Sequence, residues 1–269
     1  MSISRIKAIY FRQLFLFKSN PTRLSGIFLW LIIDIVQWGF ISRYLGSLGK
    51  DTFSFITVIL GAIILWEFAT RIQQGIAMAF LEDIWTQNFL NFFASPLTIR
   101  EYLGGLVLTS ITTGTAGFGA IAAIAGMIFG YNILKIGLLI LPFMFILLIF
   151  AIAMGIFVSA MVFRLGPSAE WLGWPIPFVI SIFAGVYYPV STLPGSLRSI
   201  SALIPASYVF ESLRSILSSG ISADKLVLDL LIGTALAILY LIAASFYFIR
   251  VYRRNLITGS IAKFNAEAL

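Results

Sequence analysis

The chain has 269 residues, of which 60% are hydrophobic and only 11% are Asp, Glu, Lys or Arg, with a net charge of +7 and a mean hydropathy of +1.01. A soluble core of this length would not bury so much apolar surface while leaving so few charges for its exterior, so the composition indicates an integral membrane protein. Cysteine and histidine are absent, which excludes disulfides and cysteine centres, removes the commonest acid/base residue at neutral pH, and disfavours zinc chemistry.

The first 23 residues, MSISRIKAIYFRQLFLFKSNPTR, carry Arg5, Lys7, Arg12, Lys18 and Arg23 and no acid. Ile6, Ile9, Tyr10, Gln13 and Phe17 fall on one helical side, the pattern of an interfacial amphipathic helix. Basic residues spread through the segment, with no small-residue cleavage site after the first apolar run, set it apart from a signal peptide.

A crossing helix needs about 20 mainly apolar residues. Six stretches meet this: 24–42, 53–70, 102–129, 136–163, 171–188 and 228–249. The fifth is the weakest, with Pro175 and Pro177 at its start, where missing donors are tolerated. With the N-terminus cytoplasmic, the inside segments hold the five N-terminal cations, Arg71, Arg100, Arg164, Arg250, Arg253, Arg254 and Lys263. The outside segments hold Arg43, Lys50, Lys135, Arg198, Arg214 and Lys225, half as many. That bias places both termini in the cytoplasm and lets the positive charge report topology, with no nucleic acid required as a partner.

Residues 71–101, RIQQGIAMAFLEDIWTQNFLNFFASPLTIRE, then form a cytoplasmic segment. Ile84, Trp85, Phe89, Phe92 and Phe93 alternate with Glu82, Asp83, Gln87, Asn88 and Asn91, and Pro96 redirects the chain. Such an element either lies in the lipid interface or docks on a soluble partner. Small residues Ala122, Gly126 and Gly130 in the third span permit close helix contact.

Charges at membrane depth are costly unless protein or water receives them. Glu67 and Arg71 stand at i, i+4 with the favourable polarity for an internal pair. Asp34, near Gln37 in the first span, lines a polar passage, holds helices together, or sits shallower than the span limits imply. The sequence does not place Asp34 beside Glu67.

GSLGKD at 46–51 lacks the G-x-x-x-x-G-K-[ST] spacing of a phosphate loop, and no nucleophile has a positioned base. An enzyme is not expected, and any ATP used in transport is hydrolysed by another polypeptide. The stretch YYPVSTLPGSLRSISALIPASYVFESLR, residues 187–214, interrupts the apolar pattern between spans five and six. Pro189 and Pro194 end and redirect the fifth span. Leu197, Ile200, Ser201, Leu203 and Ile204 mark a short interfacial or re-entrant piece, and Pro205 starts a second short helix.

Two regions, FLNFFASPLTIREYLGG at 89–105 and the 187–214 stretch with its GVYYPV lead-in, give the chain its likeness to known proteins. Over nearly its whole length it resembles the permease subunit of a type 2 ABC exporter, a broad family that includes drug, lipid-linked and polysaccharide exporters. The resemblance implies an all-α integral membrane protein, a single domain over 1–269 with six transmembrane helices, the N-terminal interfacial helix, a cytoplasmic coupling helix, and a short re-entrant or interfacial helical hairpin within 189–225.

It further implies a homodimer of permeases in the plasma membrane, which is the bacterial inner membrane if the source is Gram-negative, with two cytoplasmic ABC ATPase subunits. No cofactor is bound by this chain; ATP and Mg belong to the ATPases. Glu82, Asp83, Trp85, Asn88 and Phe92 are the expected ATPase-coupling residues. Asp34, Gln37, Glu67 and Arg71 are the candidates for a polar pathway or helix packing. Tyr187, Tyr188, Pro189, Pro194, Pro205, Glu211 and Arg214 are expected at an outer gate. The expected cargo is a small amphipathic compound or lipid; a lipid-linked glycan or polysaccharide is the alternative, and a non-transporting membrane scaffold or sensor is the reading from another class.

Overall fold

In the computed structural model, residues 2–47, 52–86, 88–166, 169, 171, 173–218, 220 and 222–258 are described. Lys50, Gln87, Lys263 and most of GSLGKD lie outside them. The described chain is all-α. In order it forms α1 (Ile3–Ser19), α2 (Pro21–Ser47), α3 (Thr52–Trp85), α4 (Asn88–Phe93), α5 (Ile99–Phe129), a 3-10 stretch (Ile133–Leu139) leading into α6 (Ile140–Leu165), α7 (Pro175–Ala184), α8 (Gly195–Ser201), α9 (Pro205–Ser218) and α10 (Ala223–Thr258). Three helical stretches, Ile99–Phe129, Ile133–Leu165 and Ala223–Thr258, are long and apolar enough to cross a membrane.

The helix ends follow local chemistry. Pro21 and Pro175 occupy first-turn positions, where an absent N–H removes no helical bond. Thr98 and Glu101 form a reciprocal capping box at the start of α5, satisfying two otherwise orphaned backbone donors. Gly130 closes α5 at a φ of 65°, in the left-handed region.

Two boundaries differ from the sequence reading. Helix α3 does not stop near residue 70: it continues unbroken to Trp85, because Ile72, Ile76, Ala77, Phe80, Leu81 and Ile84 keep presenting an apolar face to the core. The segment 71–101 is therefore nearly the last half of α3, then α4, then the entry to α5. The expected fifth span, 171–188, contains a helix of only 10 residues, about 15 Å long and half a bilayer core. It ends where Gly185 turns left-handed (φ 70°); a Cβ there would meet Val190 Cγ2 at 2.8 Å.

Helix α3 is the central strut. It packs on α5, α6, α2 and α9, while α6 pairs most extensively with α10. One core surrounds the α3 half near Leu60–Ile76, with Ile146, Phe150, Phe210 and Leu213; Trp66 and Phe210 meet edge-to-face at 6.0 Å. A second core surrounds Phe80, whose ring meets Phe89 at 5.1 Å and Phe163 and Phe248 each at 5.6 Å. The close approach along α5 is at Gly105, where a Cβ would lie 2.5 Å from Ile9, and at Gly114, where it would lie 2.6 Å from Ile72. The expected face of Ala122, Gly126 and Gly130 is only partly buried, and Gly130 serves as the helix cap.

Candidate functional site

The α4 end of the bundle is organised by a buried acid. Asp83 is 1% exposed on α3. Arg12, reaching over from α1, donates from Nη1 to Asp83 Oδ2 at 3.0 Å and from Nη2 to Oδ1, while Tyr102 Oη of α5 donates to Oδ2 at 2.7 Å. Burial opposes the Arg12 charge, but the hydrogen bond and charge of Asp83 outweigh it and raise its pKa. The guanidinium lies over the Phe92 ring, 5.1 Å from its centroid, and Phe92 packs on Tyr102 at 5.2 Å. One residue pair thus ties α1 to α3, α4 and α5. The N-terminal residues add a second tie: the Ser2 backbone N–H donates to Glu101 at 2.5 Å, and Arg5 reaches both the Pro96 carbonyl and Glu101.

The five expected coupling residues therefore separate. Asp83 and Phe92 face inward; Asp83 is enclosed by Arg12 and Tyr102 and ties α1, α3 and α5 together from inside. Trp85 is 48% exposed at the end of α3. Asn88 is half-buried and donates to the Thr86 hydroxyl at 2.8 Å. Glu82 is half-buried on the opposite side of α3 from the Phe80 cluster, lining a groove between helices. Sequence reasoning missed Arg12, Tyr102, Phe80 and Phe89; the capping box before Tyr102 was the available signal for that residue's helix entry, and Arg12 was visible only as one of several N-terminal cations.

Among the membrane-depth candidates, the structure brings together three of four. The Asp34 side chain of α2 meets the Glu67 carboxyl of α3. Arg71 donates to Glu67 Oε2 from Nε at 3.4 Å and from Nη2 at 3.5 Å. Glu67 is 9% exposed, and the three groups form a polar rivet between α2 and α3. Gln37 is exposed and stands apart from it. One turn beyond Asp34, Trp38 stacks on Tyr187 at 4.4 Å and 12°, which links α2 to the turn after α7.

At the other end of α3, the 185–214 region is held by side chains that grip backbone. Glu211 of α9 accepts from the Val190 N–H at 2.9 Å and from Arg214 Nη1 at 3.0 Å, and Arg214 Nη2 donates to the Gly185 carbonyl at 3.1 Å. Burial lowers the Arg214 pKa, with Glu211 working against that shift. Tyr188 Oη donates to the Ile182 carbonyl at 2.8 Å. Pro189 precedes a 3-10 turn (Val190–Thr192), Pro194 caps α8 and Pro205 opens α9. Arg198, missed as a site residue, donates to the Ser191 carbonyl at 2.6 Å and the Leu193 carbonyl at 3.2 Å. The irregular backbone needed partners, and these residues supply them.

No group of three or more acidic, His or Cys side chains is placed to hold a metal among the described residues. Residues 4–218 match the model of the family described as ABC-2 type transporter. No curated protein matches the chain. The match spans α1 to α9, including both ends of α3 and the polar rivet between them, so the chain belongs to the ABC-2 type transporter family as a membrane permease, the transport subunit of an ABC exporter.

Proposed function

We propose that this permease acts as a homodimer with two separate ATPase subunits and moves a small amphipathic compound or lipid out of the cytoplasm or the inner leaflet. The observation that carries this reading is the family match over residues 4–218. In this reading both termini are cytoplasmic and the chain crosses the plasma membrane six times, the fifth passage combining the 10-residue α7 with the irregular residues on either side of it. Helix α4 and the exposed Trp85 meet the ATPase, and α8 with α9 stand at the outer mouth.

The geometry supports a division of labour. Trp85 at the tip of a 34-residue helix is exposed, as a docking anchor must be. The same helix carries the Arg71–Glu67–Asp34 rivet and, further on, packs against α9. A displacement at Trp85 therefore has one rigid element through which to reach the opposite end. ATP binding drives the cycle to the extent that it favours one permease conformation over the other.

The test is to purify the native complex, identify its subunits, reconstitute it in vesicles and follow ATP-dependent movement of amphipathic, lipid and glycan cargoes. Export of an amphipath supports the proposal. A complex that assembles and hydrolyses ATP but moves none of these would transfer the assignment to a scaffold, and selective glycan movement would change the cargo. Within the same preparation, Trp85→Ala is expected to abolish cargo stimulation of ATP hydrolysis; stimulation at the wild-type level with normal assembly would remove Trp85 from the coupling surface.

A further inference from the structure

Helix α10 fixes the depth of a polar pocket. Between Asp229 and Arg250 it runs 20 residues, 230–249, without a charged side chain, about 30 Å of helix and the thickness of a bilayer core. Lys225 and Asp229, in its first two turns, therefore stand at the level of lipid headgroups. With Arg198 and Ser201 of α8 and Tyr208 and Glu211 of α9 they line a pocket of about 270 Å³. Leu203, next to the lining Ala202, and Leu228, next to Asp229, are each more than half exposed, so the pocket has an apolar rim.

Its polar groups are unequally engaged. Glu211 is held by Arg214 and the Val190 N–H, and Asp229 accepts from the Ser212 hydroxyl at 3.2 Å. Arg198 donates to two backbone carbonyls and Tyr208 Oη to the Ala202 carbonyl. Two groups are left. The Lys225 ammonium makes no ion pair or hydrogen bond with a described residue, and the Ser201 hydroxyl has no partner although Ser201 is 1% exposed. A buried hydroxyl without a partner is costly until an acceptor reaches it. A hydroxyl donor and an ammonium on one pocket wall are met together by an oxyanion, and Arg198, whose partners are neutral carbonyls, adds to the attraction. A neutral sugar would leave the ammonium without a counter-charge, and a cation would face both Lys225 and Arg198.

We infer that this pocket seats the phosphate of a membrane phospholipid, held by Lys225 and Ser201, with the acyl chains running along α10 past Leu228 and Leu231. The lipid is a ligand of the permease in its own right, separate from its cargo. The exporter reading enters only in naming the leaflet as the outer one; binding itself is tested on the chain alone. The full chain, purified in detergent, is titrated with phosphatidylglycerol, with a galactosyl diacylglycerol of the same acyl chains, and with inorganic phosphate. Bound ligand is counted by native mass spectrometry.

Saturable binding of phosphatidylglycerol at least about tenfold tighter than the galactolipid is expected. Lys225→Gln should weaken it about tenfold and Lys225→Arg should retain it, whereas Lys7→Gln, which removes an equal charge outside the pocket, should leave it unchanged. Ser201→Ala should weaken it about fivefold while the chain resists denaturant at least as well as before, because a buried hydroxyl with no partner only costs stability. Equal binding of the galactolipid would make the pocket a sugar site, and displacement of the lipid by inorganic phosphate would make its ligand a free anion. A loss in Lys225→Gln no greater than in Lys7→Gln would reduce the effect to net charge; each of these outcomes overturns the proposal. Phospholipid bound through Lys225 and Ser201 in a complex that exports no cargo would break the exporter reading and leave this one standing.

Discussion

The two ends of α3 are built on different principles. At the α4 end, aromatic rings crowd around Phe80 and one enclosed ion pair, Arg12–Asp83, joins four helices side chain to side chain. At the α9 end, the chain is broken into short pieces, and Glu211, Arg214 and Arg198 bond to main-chain atoms of the turn between them. The first arrangement makes a stiff block, since loss of Arg12 strands the enclosed Asp83 carboxylate in a low-dielectric interior. The second is held by hydrogen bonds from these three side chains to the turn, each of modest net worth.

The contrast is broken most severely by Asp83→Ala. It leaves the buried Tyr102 hydroxyl and the Arg12 guanidinium, whose side chain is 29% exposed and keeps access to water, without their shared acceptor, and a loss of about 2–3 kcal/mol is expected in denaturant unfolding of the purified chain. Resistance to denaturant equal to the unsubstituted chain would show that the aromatic cluster alone holds this end. Gly185→Ala should cost about 1–2 kcal/mol at the opposite end, from the left-handed φ. Contact of the new methyl with Val190 adds to this, and a parallel Gly130→Ala, which meets open space, should cost less; equal losses at the two glycines would remove the packing contribution.

Smaller again is Glu211→Gln, which keeps an acceptor for the Val190 N–H but removes the charge opposite Arg214. The Glu211 side chain is 39% exposed, so solvent screening limits the expected loss to about 0.5–1 kcal/mol in the same assay. Trp85→Ala stands last on this scale, within about 0.5 kcal/mol because the ring is half exposed, although it is expected to uncouple transport. A stability loss rivalling that of Asp83→Ala would place Trp85 in the core block and not on a docking surface.

Much of this architecture was legible in the residues. Uninterrupted apolar runs predicted α5, α6 and α10 because a helix is the cheapest way for such a run to satisfy its own backbone in lipid. Pro205 starts α9 as read, because a first-turn proline costs no helical bond, whereas Pro194, read as redirecting the fifth span, stands at the N-cap of α8; Glu67 and Arg71 pair as their i, i+4 spacing predicts. The limits of α3 were misread because Arg71, Gln73 and Gln74 look like the end of a span, whereas the helix continues on the opposite face through Ile76, Phe80 and Ile84. Of the coupling residues, Asp83 and Trp85 sit two positions apart, yet α1 and α5 cover one and leave the other at the surface.

The sequence by itself determined that this is a helical membrane protein of the permease type, since hydropathy, charge bias and turn residues act within a few residues of where they are written. Only the tertiary structure decided which polar groups meet. Arg12 reaches Asp83 and Asp34 reaches Glu67 across intervals of 71 and 33 residues. Those partners are chosen by which helices pack against α3, and helix packing is set by shape complementarity distributed over the whole bundle, to which no local spacing gives access.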